Sequence, residues 1–240
     1  MNTIKIENKD KVLMVAHRGV SGIEKENTCS AFVAAGNRSY YGIETDVHRT
    51  RDGRFVCIHD GTTGRVAIDN LNVEESTFDT LRSLVLTDTD GVKGRIDLRI
   101  PTLQEYVRVC RKYGKVGVLE LKTAFEPADL QKIIDIIKAE DYLSGIIFIS
   151  FNLNNMIGIR ALLPQQPCQF LISDFPEDLI DTLVKYSLDL DIYYKALTQE
   201  NLAALKEKGI RVNVWTVDKP EDATRLIGWG VDYITSNILE

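Results

Sequence analysis

Features that would place a chain in a membrane or outside the cell are missing from this sequence. No apolar run approaches the roughly 20 residues that a membrane-spanning helix needs. The first residues, MNTIKIENKDKVLMVAHRG, alternate charged and apolar side chains and do not build the apolar centre of a signal peptide. We therefore expect a cytoplasmic protein without stable membrane association.

Excess positive charge and paired cysteines are also missing. The formal net charge is −6 at pH 7, and because nucleic acids and anionic membranes attract basic surfaces, we expect no nucleic-acid partner. The four cysteines, Cys29, Cys57, Cys110 and Cys168, form no CxxC pair and have no metal-type spacing. They are interpreted as small buried hydrophobic residues in a reducing compartment.

What the sequence does contain is a repeated alternation of β-branched apolar runs and amphipathic helical stretches. Eight main strands are predicted when YGIETDVHRT and RFVCIHD are counted as one strand with a hairpin extension. This pattern predicts an α/β protein, a (β/α)₈ TIM barrel, for which about 250 residues is typical. We expect a single domain over residues 1–240, with a small polar insertion over residues 61–99 after the second strand unit.

The alternative fold is a doubly wound open sheet. It lacks support because no GxGxxG or GxxxxGK[ST] motif follows any predicted strand. In (β/α)₈ barrels the chemistry lies at the carboxyl ends of the strands. Polar residues at those positions are therefore the candidates for function.

Three acidic residues lie at such positions: Glu44 and Asp46 share one face of the second strand, and Glu120 ends a later strand. Without compensation, three carboxylates in a partly desolvated barrel mouth would repel one another. A divalent cation resolves this conflict, and an all-oxygen ligand set suits Mg²⁺, Ca²⁺ or Mn²⁺. The alternative is that Arg18 and Lys122 neutralise the acids without a metal.

Two of the three histidines, His17 and His59, also fall at strand ends. A histidine whose pKa is near its ordinary value of about 6.5 can donate or accept a proton at neutral pH, so this pair is predicted to act in general acid–base catalysis. His48 could share the face of Asp46 and is interpreted as structural. Trp215, near the end of another strand, is interpreted either as core or as a substrate contact.

The sequence resembles the glycerophosphodiester phosphodiesterase family over nearly its whole length. The motifs that carry the resemblance are AHRG at 16–19, ENT at 26–28, GIETDVHRTRDGRFVCIHD at 42–60, IPTLQE at 100–105, LELK at 119–122, SF at 150–151, VWTVD at 214–218 and GVDYITSN at 230–237. The resemblance implies a barrel that hydrolyses a small glycerophosphodiester to sn-glycerol 3-phosphate and an alcohol.

The resemblance also implies roles for individual residues. His17 and His59 correspond to the catalytic pair, and Glu44, Asp46 and Glu120 to the ligands of one divalent cation. The substrate-binding positions are Arg18 and Lys122 on the phosphate, Trp215 against the substrate, and Asn27, whose role is less defined.

The sequence departs from the family pattern in two places. The residues after Asp60 read GTTGRVAIDN instead of a slightly longer pattern, and Ser236 and Asn237 stand where aspartate is common. We expect these differences to lie at the rim and to bear on substrate identity more than on reaction type. Two alternatives stay open: a phospholipase D-like hydrolase of lysophospholipids, and a non-catalytic barrel that binds a phosphate ligand.

Overall fold

Eight parallel strands form a closed barrel in this computed structural model, which describes residues 2–7, 9, 11–92 and 95–240. The barrel strands are β1 (Leu13–Ala16), β2 (Gly42–Arg49), β4 (Val116–Leu121), β5 (Ile146–Ser150), β6 (Cys168–Ile172), β7 (Asp189–Tyr193), β8 (Val212–Trp215) and β9 (Tyr233–Ser236). Each strand pairs in parallel with the next, and pairing of β1 with both β2 and β9 closes the ring. The predicted (β/α)₈ TIM barrel is confirmed.

Helices follow the strands as the alternating pattern predicts. They are α1 (Cys29–Gly36), α2 (Phe78–Ser83), α3 (Leu103–Tyr113), α4 (Pro127–Ala139), α5 (Leu153–Leu162), α6 (Leu179–Tyr186), α7 (Gln199–Glu207) and α8 (Pro220–Trp229). Polar caps fix where several of them begin. Thr28 accepts a hydrogen bond from the backbone of Ala31, and Thr102 forms a capping box with Glu105.

The hairpin predicted after the second strand is also present. Strand β3 (Phe55–Cys57) runs antiparallel to the end of β2, with Val47 opposite Cys57. The turn between them places Gly53 at φ +77°, a conformation that glycine adopts without steric penalty. This hairpin carries the chain to His59 beside the carboxyl end of β2.

Residues 61–99, with the gap at 93–94, connect the hairpin to α3 and contain α2. Their apolar side chains pack into a separate small core with Val56 and Ile58, which includes Val66, Val73 and Leu81. Arg82 of α2 contacts both carboxylate oxygens of Glu105 at 2.9 Å. This segment is thereby anchored to the first turn of α3.

Alternation along each strand separates two environments. On β2, Ile43 and Val47 pack outward in the large core between barrel and helices, whereas Glu44 and Asp46 point the other way. Inside the barrel, a smaller apolar layer contains Val15, Val118 and Ile149, among others. The acids therefore lie above an apolar floor inside the barrel.

None of the helices in the described ranges is long and apolar enough to cross a membrane.

The two ends of the described chain pair with each other. Ile4 forms a parallel bridge with Leu239, and the backbone N–H of Glu240 donates to the carbonyl of Ile4. The N-terminal segment is thus tied to the residues that follow β9.

Candidate active site

The three predicted acids come together because of strand register. Asp46 on β2 lies directly opposite Glu120 on β4, and Glu44 is two residues before Asp46 on the same face. All three are nearly removed from solvent, with exposed fractions of 3% for Glu44, 0% for Asp46 and 6% for Glu120. Ionic groups this deeply buried need compensation.

The spacing of the three carboxylates fits a cation. One oxygen from each lies within 4.8 Å of the other two. Oxygen ligands of Mg²⁺ or Ca²⁺ lie about 2.0–2.6 Å from the ion, so two ligands of one ion are at most about 5 Å apart. The three acids could therefore share a single divalent cation.

Two basic side chains also reach the acids. Lys122 Nζ lies 2.8 Å from Glu120 Oε1 and 3.3 Å from Asp46 Oδ1, and Arg18 Nε lies 3.6 Å from Asp46 Oδ2. Glu44 contacts neither base at ion-pair distance in the described residues; its Oε2 accepts from the backbone N–H of Arg18 at 2.7 Å. The bases alone therefore neutralise the acids unevenly.

The pKa values record this imbalance. Burial, with Asp46 and Glu120 nearby, raises the pKa of Glu44 well above its ordinary value. Burial and the charge of Asp46 raise the pKa of Glu120 to about 8, despite Lys122. Burial also opposes ionisation of Asp46, but Lys122 and Arg18 outweigh it and hold that pKa below its ordinary range. Glu44 and Glu120 thus lack enough positive charge nearby to stay ionised in their ordinary pH range.

The same shortage of positive charge is visible at two buried carboxylate oxygens. Asp46 Oδ1 and Glu120 Oε1 share the single ammonium group of Lys122, which lies 3.3 Å from the first and 2.8 Å from the second. One ammonium group does not neutralise two carboxylates, so these oxygens can also serve as ligands of an ion. The donor set and its spacing fit a hard divalent cation.

The turn after β1 delivers a backbone donor to the acids. Arg18 adopts φ +54° and Gly19 φ +76°, both in the left-handed region. Arg18 is held there by its N–H bond to Glu44, and Gly19 donates to the backbone carbonyl of Glu44. A Cβ at Gly19 would lie 2.6 Å from Cβ of Ala31, so only glycine fits. The glycine of the AHRG motif is therefore required by the close approach of this turn to Ala31.

Asn27, a predicted substrate contact, lies behind the acids. Its Nδ2 donates to Asp46 Oδ2 at 2.7 Å, and its Oδ1 accepts from Thr45 Oγ1 at 2.6 Å. The residue is 3% exposed and its backbone N–H donates to the carbonyl of Arg18. In this structure the side chain orients Asp46.

The two histidines at the strand ends have different partners. His17 Nδ1 lies 2.7 Å from Asn237 Oδ1, and its Nε2 lies 4.0 Å from Glu44. His59 Nδ1 lies 2.6 Å from the carboxylate of Asp60. Burial and the charge of Arg18 lower the pKa of His17 to about 4, and burial lowers that of His59 below its ordinary value. Both imidazoles are therefore neutral at pH 7.

His48 supports His59 from the side. Its Nε2 lies 3.2 Å from the backbone carbonyl of His59, which can only accept, so this nitrogen carries the hydrogen. Its Nδ1 lies 3.7 Å from Glu74. His48 is 3% exposed, and its geometry is that of a structural residue.

A cavity of about 90 Å³ opens beside the acids at the carboxyl ends of the strands. It is lined by His17, Arg18, Glu44, His59, Glu120, Ile149, Phe151, Leu171, Asp191, Trp215, Thr216 and Thr235. Six of the nine predicted site residues line it. The others, Asn27, Asp46 and Lys122, contact lining residues or one another.

Two aromatic side chains, Phe151 and Trp215, form part of the cavity wall. Trp215 packs edge-on against Phe151 with ring centres 5.7 Å apart, and its ring is tilted against that of Tyr193, with ring centres 5.6 Å apart. Phe151 is 46% exposed, which is unusual for phenylalanine. The part of the cavity formed by Phe151 and Trp215 therefore suits the carbon atoms of a ligand.

Sequence reasoning missed Asp191 and Glu26. Asp191 on β7 lines the cavity, is 2% exposed and has no partner for Oδ1 among the described residues. An acid in the apolar run LDLDIYY was the available signal. Glu26 links Arg18, at 3.0 Å, to Arg65 of the inserted segment. That contact joins distant parts of the chain, so no local pattern indicates it.

The fold and this grouping of acids, bases and histidines define a TIM-barrel enzyme. Residues 17–239 match the sequence profile of the glycerophosphoryl diester phosphodiesterase family. The chain is 30% identical over 230 residues to a glycerophosphodiester phosphodiesterase of Caldanaerobacter subterraneus, an alignment that spans 95% of this chain and 94% of that one. The chain belongs to the glycerophosphoryl diester phosphodiesterase family and is a phosphoric diester hydrolase.

Solved structures agree with this. A phosphodiesterase of Oleispira antarctica, in complex with the product sn-glycerol 3-phosphate, is 25% identical, with a TM-score of 0.83 over 94% of this chain and 93% of that one. A glycerophosphodiester phosphodiesterase of Thermotoga maritima is 26% identical, with a TM-score of 0.76 over 94% of each chain. The expected family is confirmed.

Proposed function

We propose that this protein hydrolyses small glycerophosphodiesters to sn-glycerol 3-phosphate and an alcohol, with one divalent cation held by Glu44, Asp46 and Glu120. The observation that carries this proposal is the cluster of three buried carboxylates, two of them without enough positive charge nearby, beside two histidines at one cavity. The Oleispira antarctica relative, which binds sn-glycerol 3-phosphate, supports the choice of product.

The cation, Mg²⁺ or Ca²⁺ with Mn²⁺ as a further candidate, would supply positive charge to phosphate oxygens as the phosphorus centre becomes five-coordinate. If the cation compensates the acids, Arg18 at the cavity wall and Lys122 beside Glu120 would be available to bind the phosphate. Arg18 in particular has a buried Nε without a hydrogen-bond partner in the described chain. Its guanidinium can then bind phosphate in the bidentate geometry typical of arginine.

The histidines move the protons in this proposal. One neutral imidazole accepts a proton from the attacking nucleophile, and the other, once protonated, donates to the leaving oxygen. His17 enters from β1 and His59 from the hairpin beside β2, so both imidazoles face the same cavity. The attacking group is water or a neighbouring glycerol hydroxyl.

The cavity limits the substrate. Its volume of about 90 Å³ is enough for a few water-sized groups, which favours a glycerol moiety over a large alcohol inside the barrel. Trp215 would pack on the carbon side of the glycerol while the charged wall binds phosphate. Asn27 acts indirectly, by orienting Asp46.

A second candidate substrate class has one observation in its favour. Phe151 exposes 46% of its surface beside Trp215 at the cavity, and an apolar contact of this kind would suit the acyl chain of a lysophospholipid. The inserted segment exposes Ile68, Val92 and Ile96, but none of its described residues lines the cavity. Small glycerophosphodiesters therefore remain the first choice.

The test is an assay of purified protein on glycerophosphodiesters of choline, ethanolamine, glycerol and inositol, and on lysophospholipids, with products identified by mass spectrometry. We expect sn-glycerol 3-phosphate from one or more diesters, abolished by EDTA and restored by Mg²⁺ or Ca²⁺. Turnover of lysophospholipids alone would favour the second class. Binding of glycerol 3-phosphate without turnover of any substrate would indicate the non-catalytic barrel.

A further inference from the structure

The side chain of Asn237, after β9, lies between His17 and Asp218. Its Oδ1 is 2.7 Å from His17 Nδ1 and accepts from Ser21 Oγ at 2.6 Å. Its Nδ2 donates to Asp218 Oδ2 at 2.6 Å, and its backbone N–H donates to Asp218 Oδ1 at 2.8 Å. Both ends of the amide and both oxygens of Asp218 are therefore engaged.

The chemistry of these partners fixes the direction of every hydrogen bond. The Asp218 carboxylate can only accept, so it must face the NH₂ end of the Asn237 amide. The oxygen end then faces His17, and because this oxygen can only accept, His17 Nδ1 must carry the hydrogen. In the neutral imidazole, Nε2 is left with a lone pair. That nitrogen lies on the Glu44 side of the ring.

We propose that Asn237, oriented by Asp218, is a positioning residue that fixes the Nδ1–H tautomer of His17 and so presents the Nε2 lone pair to the cavity. Asn237 touches neither substrate nor cation in this role; it acts through His17. The catalytic meaning of this role rests on the proposed function, whereas the tautomer itself does not.

The two histidines are thereby held by different means. His59 is oriented by the charged carboxylate of its neighbour Asp60, whereas His17 is oriented by a neutral amide from the far end of the chain. The amide supplies orientation without a full negative charge beside the ring. Asp218 prevents the side-chain amide of Asn237 from flipping, because a flipped amide would place its Oδ1 against the carboxylate oxygen of Asp218.

Nuclear magnetic resonance of ¹⁵N-labelled protein tests the tautomer directly. The chain has only three histidines, so the ring signals can be assigned with His17→Gln, His48→Gln and His59→Gln. Wild-type protein at neutral pH is expected to show the Nδ1–H form of His17. The Nε2–H form would overturn the proposal whether or not the protein hydrolyses glycerophosphodiesters.

Variants distinguish a positioning role of Asn237 toward His17 from a merely structural one. Asn237→Leu is expected to give mixed His17 tautomers and to lower kcat roughly 10- to 100-fold with little change in KM. Asp218→Ala, at an exposed position, is expected to mix the tautomers by freeing the amide to turn. The double variant Asp218→Asn with Asn237→Asp, which swaps amide and carboxylate, is expected to restore the Nδ1–H form. Asn201→Leu on α7, away from the cavity, is the matched control and should change neither signal nor kcat.

Three results from the variants would also contradict the proposal: an unchanged tautomer with full kcat in Asn237→Leu, an unchanged tautomer in Asp218→Ala, or no restoration in the swapped pair. If Asn237→Leu does not fold, Asp218→Ala and the swapped pair still decide the outcome. A wild-type protein with the expected tautomer but no turnover of any diester would sink the proposed function and leave the tautomer assignment standing.

Discussion

Binding of the divalent cation should become weaker as pH falls below 8, because the acids that hold it must lose protons first. The perturbation is a change of pH from 8 to 6 on the metal-free protein. Glu120 gives a contribution whose size can be worked out, since burial and Asp46 raise its pKa to about 8. Metal binding to a protonated carboxyl requires release of that proton.

The magnitude follows from the titration of one group. Glu120 is about half ionised at pH 8 and about one hundredth ionised at pH 6, so its protonation alone weakens the apparent affinity about 50-fold. The pKa of Glu44 is also raised, which makes the dependence steeper. Asp46 adds nothing in this range because its pKa is held below its ordinary value.

The assay is calorimetric titration of metal-free protein with Mg²⁺, Ca²⁺ or Mn²⁺ at pH 6, 7 and 8, in buffers of different ionisation enthalpy. Binding at pH 7 should release about one proton or more. Glu120→Gln is the control and should weaken binding while flattening its pH dependence. A wild-type affinity that does not change between pH 6 and 8, with no proton released, would refute the role of these acids as cation ligands.

Three further predictions concern single residues. Alanine at His17 or at His59 should lower kcat about 100-fold or more with the fold intact, measured by steady-state kinetics and circular dichroism; near-normal turnover in either variant would remove that residue from proton transfer. Trp215→Ala should raise KM more than it lowers kcat, because packing on substrate carbon is lost; an unchanged KM would make Trp215 a core residue only. Asp191→Asn should stabilise the metal-free protein. Burial raises the pKa of Asp191 well above its ordinary value, so the stability of the wild-type protein falls as pH rises above about 4, and the advantage of the variant in urea unfolding should grow from pH 4 to pH 7. Equal stability of the two proteins from pH 4 to 7 would show that the Asp191 carboxyl carries no such penalty.

The fold was predictable because its determinants are local. Periodicity distinguished strands from helices, and the turn at Gly53 marked the hairpin that the structure confirms. Strand alternation also indicated that Glu44 and Asp46 share a face, and register with β4 brings Glu120 beside them. These features depend on residues close in sequence or on regular pairing.

The rest of the site depends on contacts that no local pattern encodes. Asn237 meets His17 across 220 positions, and Glu26 meets Arg65 through the inserted segment. Asn27 falls in a recognisable motif, but its contact with Asp46 depends on how the turn after β1 closes. Sequence could indicate that such residues lie near the site, whereas what each one touches required three-dimensional structure.

The most direct test of the central claim is hydrolysis of a glycerophosphodiester in ¹⁸O-labelled water with Mg²⁺ or Ca²⁺ present. The proposed reaction breaks the bond between phosphorus and the leaving oxygen, so the label should appear in the phosphate of sn-glycerol 3-phosphate and not in the released alcohol. Label in the alcohol, or release of free glycerol with a phosphorylated alcohol, would contradict it.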